Sequence, residues 1–495
     1  MWSDTIAPAR LEALVAQLHK VIPAPSPRAS SNTVGLRGRA SVDQVAELLR
    51  REPGFAWVHA TTGSPAAIDP GSVASHLLRR PLATISYSDG RGTIASSGGT
   101  VQIEALGFDI LQAAFAAWQG PAGGHLTGFL SYELATEIED VGTLPPATFP
   151  FPKFHFGLYD SALVSRDGTW SLFGTDAWRG GDGLPFSLTQ AEDLIARAST
   201  FVASNDGPSV VRPDSLQIHQ SDRVGFEAAV ERIVAAIHTG DIFQTNLCRC
   251  INAPLEPAAE WELFQRMRAI NPSRYEAFLR VGDDSTNPKA VLSISPELFL
   301  QVNGRVVESE PIKGTRPRGK GAAEDQKLSA QLISSEKDRA ELAMIVDVVR
   351  NDLGRVCETG SIKVVQHAEL MSLPTVHHLF STVQGRLREP VGPIQLLRAA
   401  FPAASISGAP KIEAIRVAMR EEGRARGPCM GAVGWIALDG SLEMSVAIRT
   451  AFVTDGVVRY YAGCGITAES NPGDEYVESQ HKASAFVHAL QSLGS

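Results

Sequence analysis

AVLSISPELFLQVNGRVVESEPIKGTRPRGK, residues 290–320, is the stretch whose reading decides the fold. AVLSISPELFLQV (290–302) is apolar and reads as strand, and GRVVESE (304–310) reads as another. In PIKGTRPRGK (311–320), Pro311 and Gly314 predict a rigid loop rather than a helix. Beyond it, SSEKDRAELAMIVDVVRND (334–352) has the spacing of an amphipathic helix. Ser334 or Ser335 caps it, acidic residues fill its first turn, and Ala343, Met344, Val346 and Val349 mark the expected buried stripe.

The same mixture extends in both directions. SDRVGFEAAVERIVAAIHTGD (221–241) reads as a capped helix with a glycine stop. A helix follows Pro410, strands lie near 431–438, 445–453 and 457–462, and a last helix begins near Pro472. Earlier, TISYSD (84–89), GTVQIEAL (99–106), LTGFLSYEL (126–134) and SALVSRDGTWSLFG (161–174) read as short β segments, with RDG marking a hairpin. Mixed helices and hairpins predict an α+β chain rather than a doubly wound parallel sheet. The polar stretch 203–217 reads as a linker. It divides a β-rich N-terminal domain, 1–205, from a second domain, 218–495. The Pro-, Ser- and Arg-rich segment 22–39 reads as a flexible extension or, alternatively, a weak organelle-targeting signal.

At 495 residues the chain is too long for one ordinary core. With 44% hydrophobic and 20% charged residues it has the balance of a globular protein. A formal net charge of −9 argues against nucleic-acid binding. Cys248, Cys250, Cys357, Cys429 and Cys464 are odd in number and scattered, so reduced thiols are expected rather than a disulfide framework. No window reaches eighteen apolar residues and the N-terminal stretch lacks a signal-peptide core, so the expectation is a cytoplasmic chain without a membrane partner.

Two helices carry paired carboxylates. Asp338 and Glu341 share one face of the first. In NPGDEYVESQHKASAF (471–486), Asn471 is a good N-cap, Pro472 suits the first helical position, and Glu475, Glu478 and Lys482 again share a face. Hard oxygen ligands in such number suit Mg²⁺ together with an anionic substrate.

These blocks resemble the chorismate-utilising enzymes, which include anthranilate synthase component I, aminodeoxychorismate synthase component I, and the isochorismate and salicylate synthases. The matching stretches run in the family's order: GDIFQTNLCR (240–249), INPSRYEAFL (270–279), SISPELF (293–299), PIKGTRPRG (311–319), EKDRAELAMIVDVVRNDLGRV (336–356), HHLFSTVQG (377–385), FPAASISGAPK (401–411), GAVGWI (431–436), AIRTA (447–451) and GCGITAESNPGDEYVESQHKA (463–483). The N-terminal part matches more loosely, chiefly at GFLSYEL (128–134). The resemblance implies β-sheets of a composite sandwich flanked by helices. It implies Mg²⁺ on Glu341 and Glu478, with Asp338 and Glu475 close by or bound through water. Glu297 would be a general acid for the leaving C4 hydroxyl, and His378 would lie beside the substrate ring. Arg449 would grip the enolpyruvyl carboxylate. Gly314, Thr315, Gly463, Gly465, Lys482, Ser407 and Ala409 would line the substrate site.

Lys313 and Gln244 select a branch. The anthranilate synthases typically carry PIAGT, whereas PIKGT is typical of the branch that makes aminodeoxychorismate. There the resemblance implies a covalent role for the Lys313 amine, with Arg316 and Arg318 as cationic neighbours that keep it neutral. Isochorismate and salicylate synthases place a lysine at the position of Gln244 to activate water, so ammonia is the expected nucleophile here. The ammonia would come from a separate glutamine amidotransferase subunit. The alternatives are an anthranilate-forming enzyme and an inactive relative acting as a scaffold. Ala404, Cys429 and Cys464 depart from the family's usual glycine, aromatic and alanine.

Overall fold

A computed structural model describes residues 6–26, 31–61, 73–120, 124–142, 148–175, 188–200, 218–220, 222–282 and 287–493. The linker expected at 203–217 lies outside these residues. Two large antiparallel sheets and flanking helices make the chain α+β. Each sheet has twelve strands among the described residues, eleven on one path and a twelfth beside it: Gly408–Ala409 pairs with Gln244–Pro254 in the first sheet and Lys363–Ser372 with Val376–Arg386 in the second.

The first sheet runs in order Ser31–Gly35, Thr169–Thr175, Ser161–Arg166, Val73–Leu78, Ala56–Thr61, Tyr275–Val281, Lys289–Ser295, Thr450–Thr454, Val457–Ile466, Gln244–Pro254 and His219–Gln220. The second runs Ile312–Pro317, Val376–Arg386, Val306–Glu310, Leu298–Asn303, Leu442–Val446, Ala432–Ala437, His125–Leu130, Phe154–Tyr159, Ala83–Ser88, Arg91–Ser96 and Gly99–Glu104. Both draw strands from the two sides of the expected linker. Ala56–Thr61 pairs with Tyr275–Val281, and His125–Leu130 pairs with Ala432–Ala437. An aromatic cluster reinforces the first junction. Phe55 and Trp57 meet Trp261, Phe264 and Phe278, with Trp261 edge-on to Phe278 at a centroid distance of 5.1 Å. Each such pair contributes about 0.5–1.5 kcal/mol beyond its buried area.

The second junction is polar. The buried Glu133 carboxylate accepts from the backbone N–H groups of Arg426 and Gly427, and the Arg426 guanidinium lies over the Tyr132 ring at 4.2 Å. Arg426 also pairs with buried Glu422 at 2.6 Å. GFLSYEL is therefore strand only through Leu130, with a short 3₁₀ turn at Tyr132–Glu137 that presents Glu133.

Several local expectations stand. RDG forms a hairpin turn with Asp167 at φ 51° and Gly168 at φ 74°, the left-handed pair such a turn requires. Asp222 caps the helix Arg223–His238, and Asn471 caps Pro472–Gln491. All five cysteines are free and buried.

Others are corrected. Residues 311–317 are not a loop: Ile312–Pro317 is a strand paired with Val376–Arg386. The register shifts between Lys313 and Thr315, where Gly314 sits at φ +68°, so the glycine marks a bulge rather than a turn. Within 22–39, Ser31–Gly35 is an edge strand paired with Thr169–Thr175. On the helix Glu336–Gly354, the buried stripe is Leu342, Ile345, Val346 and Val349, while Ala343 is exposed and Met344 half-buried. The run 290–302 divides at Pro296–Glu297, and 445–453 divides around Arg449, because at both places the chain crosses from one sheet to the other.

Candidate active site

Those two crossings lie side by side. Val446 N–H donates to the Glu297 carbonyl at 3.0 Å, and Ile294 N–H donates to the Arg449 carbonyl at 3.2 Å. The Glu297 amide is held by Ser295 Oγ at 3.2 Å. Two side chains that need rigid placement thus sit where two sheets over-determine the backbone. Arg449 has φ 50°, a conformation a non-glycine residue rarely takes.

Glu297 is 3% exposed. Burial pushes its carboxyl up to about 7, against the pull of Ser405, Lys313 and the Ile312 N–H. It can therefore hold and release a proton near neutrality. Lys313 is half-buried on the neighbouring bulged strand. Burial pushes its pKa below the ordinary lysine value; Glu341 opposes this and Lys482 adds to it. The cationic neighbour is Lys482, not the arginines expected from the sequence. Arg316 is taken up by Asp338 at 2.9 Å and the Thr315 carbonyl, and Arg318 by Asp325 at 2.8 Å.

Gln244 begins the strand that pairs with Val457–Ile466 and Gly408–Ala409. It is fully buried, yet neither its Nε2 nor its Oε1 has a hydrogen-bond partner. A Cβ on Gly465 would lie 2.3 Å from Gln244 Nε2 and 3.4 Å from Lys313 Nζ. The glycine thus leaves room for an amide and an amine to meet over one point of backbone. Gly463 is equally constrained, since a Cβ there would meet the Leu247 carbonyl at 2.2 Å. Its own carbonyl accepts from Lys482 Nζ at 3.1 Å.

His378 is buried beneath the bulge. Its Nδ1 lies 3.1 Å from both the Gly314 carbonyl and Thr315 Oγ1, and its Nε2 lies 3.0 Å from an Arg449 guanidinium nitrogen. Burial, then Arg449, lowers its pKa to about 3, so the ring is neutral. Arg449 Nη1 is buried without a partner, an open donor.

The carboxylates face one another across two helices. Glu475 accepts from Ser470 Oγ at 2.6 Å, and Glu478 pairs with Lys482 at 2.8 Å. Burial, and then Glu478, raises the pKa of Glu475; burial, and then Asp338 and Glu478, raises that of Glu341. Glu478 goes the other way: burial opposes it, but Lys482 holds its carboxyl below the usual range. The strain on Glu341 and Glu475 is what a divalent cation relieves, and the oxygen donors fit Mg²⁺. Asp338 is committed to Arg316 instead. Among the described residues, the one group of three metal-capable side chains within 4.8 Å is Cys464, Glu475 and Glu478. The Cys464 thiol donates to the Glu475 carbonyl at 3.3 Å.

Two expected lining residues contribute differently. Ser407 Oγ turns back to the Ala403 carbonyl at 3.0 Å, and the Ala409 carbonyl accepts from Phe243 N–H at 2.8 Å. Sequence reasoning missed Lys337, whose charge lowers the pKa of Glu341, Glu475 and Glu478, and Ser405, beside Glu297. Nothing in their spacing marks either.

Comparison with known proteins places this geometry. Residues 72–488 match the chorismate binding enzyme family. Aminodeoxychorismate synthase component 1 of Salmonella typhimurium is 32% identical over 86% of this chain and 91% of its own length. Anthranilate synthase component 1 of Saccharolobus solfataricus is 40% identical over 74% of this chain and 80% of its own. The crystal structure of anthranilate synthase component I from Streptococcus pneumoniae is 27% identical, with a TM-score of 0.71 over 86% of this chain and 93% of that one. MenF, the menaquinone-specific isochorismate synthase of Escherichia coli, shares the fold at 19% identity, with a TM-score of 0.67 over 97% and 99% of the two chains.

Proposed function

The chain belongs to the chorismate binding enzyme family, and on that premise we propose that it aminates chorismate with ammonia to 4-amino-4-deoxychorismate through a covalent Lys313 intermediate. The observation that carries this reading is the meeting of Lys313 and Gln244 over Gly465. A lysine whose proton affinity is depressed by burial gives up its proton more readily, as a nucleophilic amine must, and no second lysine at position 244 is present to activate water.

In this mechanism Arg449 and the backbone around Gly463 and Gly465 orient the substrate's carboxylates. Mg²⁺ on Glu341, Glu475 and Glu478, when bound, supplies positive charge for the ring carboxylate. The Lys313 amine forms a bond to C2, the ring double bonds shift, and the C4 hydroxyl leaves as water with the proton of Glu297. Ammonia then bonds to C4, the double bonds shift back, and the C2 bond to Lys313 breaks. One chorismate and one ammonia give one aminodeoxychorismate and one water. We infer a glutamine amidotransferase partner as the ammonia source, and p-aminobenzoate and folate synthesis as the destination. No helix among the described residues is long and apolar enough to cross a membrane.

Anthranilate formation is the second reading, favoured by relatives such as the 40% identical anthranilate synthase component 1. Lys313 speaks against it, because direct attack of ammonia at C2 needs no amine there. The deciding experiment is product analysis with purified protein, chorismate, Mg²⁺ and ammonium. Aminodeoxychorismate, converted to p-aminobenzoate by added lyase, supports the proposal; anthranilate refutes it. In Lys313→Ala, ammonia is left to attack C2, so product should shift toward the 2-amino compound. Acid-quenched wild type without ammonia should carry the substrate, less water, on Lys313 by intact mass.

A further inference from the structure

The mechanism makes no use of the buried hydroxyl of Ser405, which lies beside Glu297. Ser405 and Ser407 share a single helical turn, Ala404–Ser407. Ser407 satisfies itself by back-bonding to the Ala403 carbonyl, as helical serines do. Ser405 is 5% exposed, and its Oγ makes no hydrogen bond of full geometry, although it lies near enough to the Glu297 carboxyl to lower that group's proton affinity. A buried hydroxyl in that state has lost its hydration without full compensation.

The surroundings of that hydroxyl point to a partner. Ser405 and Glu297 line the same cavity of about 10 Å³, together with Asp352, Ser309 and mostly apolar side chains. The turn cannot drift away, because the Ser405 carbonyl accepts from Asn246 Nδ2 at 3.1 Å, two residues along from Gln244. The backbone that carries the carboxyl is anchored from its own side, the Glu297 amide by Ser295 Oγ and the Glu297 carbonyl by Val446 N–H. A donor and a carboxyl are thus held on one cavity wall by two separate strands.

We propose that Ser405 is a positioning residue for Glu297: its hydroxyl closes onto the carboxyl, fixes the orientation that faces the substrate, and steadies the anion left after proton transfer. This rests on the reading of Glu297 as the general acid. Next to burial, Ser405 is the strongest influence on the proton affinity of Glu297, and it acts to lower it. The charged groups around Glu297 are Lys313 on its strand, Glu310 on the strand before, Arg449 at the neighbouring crossing, and Asp352 across the cavity. Asp352 is itself paired with Lys411 at 2.6 Å.

The test is the pH profile of kcat in wild type, Ser405→Ala, Ser405→Cys and Ser405→Thr, with total ammonium adjusted to hold free ammonia constant. Removing the donor weakens the anion, so the arm along which activity falls with rising pH should move to higher pH in the Ala and Cys variants. kcat should drop about tenfold, the scale of a lost hydrogen bond to a charged group, while KM for chorismate changes little. Ser405→Thr should restore both. A uniform drop with an unmoved arm, or an unchanged enzyme, overturns the proposal. Glu297→Gln run in parallel separates the two claims. If it stays active, the general-acid reading fails and this proposal with it. If it is inactive while Ser405→Ala behaves as wild type, only the role of Ser405 falls.

Discussion

Arg449 donates to Nε2 of His378 at 3.0 Å, and that contact fixes the state of the histidine. A guanidinium has no acceptor, so Nε2 must accept and the ring proton must sit on Nδ1, where it is donated to the Gly314 carbonyl. His378 is then a neutral strut between the bulge and Arg449, the arginine proposed to orient the substrate. In His378→Asn, an amide can still reach Gly314 but offers nothing at the Nε2 position. KM for chorismate should rise about tenfold or more while the protein stays folded by circular dichroism. By NMR the wild-type ring should remain neutral until the pH approaches about 3. A ring that titrates near the ordinary histidine value would refute the assignment.

Glu297 ties activity to stability: both fall as pH rises, whereas its replacement moves them in opposite directions. Its carboxyl is raised from 4.5 to about 7, so the folded state binds a proton more tightly than the unfolded state. The general acid works while protonated, so activity should fall as pH rises through about 7. Above that pH the fold also bears the cost of a buried anion, on the order of 3 kcal/mol. Glu297→Gln should therefore be inactive yet more stable than wild type at about pH 8, with the gain shrinking toward pH 5. Denaturant melts at the two pH values measure it. A variant no more stable at the higher pH contradicts the raised pKa.

The site was more legible in the sequence than the sheets that build it. Asn471, the cap of the helix Arg223–His238 and the RDG turn act through neighbours a few residues away, and local pattern reaches them. Lys313 was read as a loop residue because Pro311, Gly314 and Pro317 crowd it, while the strand that recruits it, Val376–Arg386, is remote in sequence. The composite sheets follow from the family resemblance and not from local pattern, for the same reason: pairs such as Val58 with Ala277 leave no periodic trace. Paired carboxylates at helical spacing exposed Glu475 and Glu478, but spacing could not tell that Arg316 claims Asp338. Ser405 was invisible, since only its lack of a fully formed hydrogen bond sets it apart from Ser407.

That distinction among the carboxylates gives a metal prediction. On the proposed reading Mg²⁺ binds the folded state among Glu341, Glu475 and Glu478, so it should raise the melting temperature of the wild type. Glu341→Gln and Glu478→Gln should lose that Mg²⁺-dependent rise along with activity. Asp338→Asn should keep it, since Asp338 is paired with Arg316. Equal loss in all three would place Asp338 among the ligands and undo the distinction.

Gly465 separates a packing defect from a chemical one. A Cβ there would lie 2.3 Å from Gln244 Nε2, the far end of a flexible side chain, and 3.4 Å from Lys313 Nζ. Gln244 can swing aside, and it gives up no hydrogen bond in doing so, because its amide has none. Gly465→Ala should therefore cost less than about 1 kcal/mol of stability, within the range of a tolerated small change. The same methyl displaces the amide from the point where amine, substrate and ammonia must converge, and misplacement on that scale costs about a hundredfold in rate. Gly463→Ala provides the contrast: its Cβ would strike the Leu247 carbonyl at 2.2 Å, where the backbone cannot yield, so stability and activity should fall together. Melting curves and initial rates on the two variants measure the difference. An active Gly465→Ala enzyme would remove Gln244 from the chemistry and leave Lys313 to act without it.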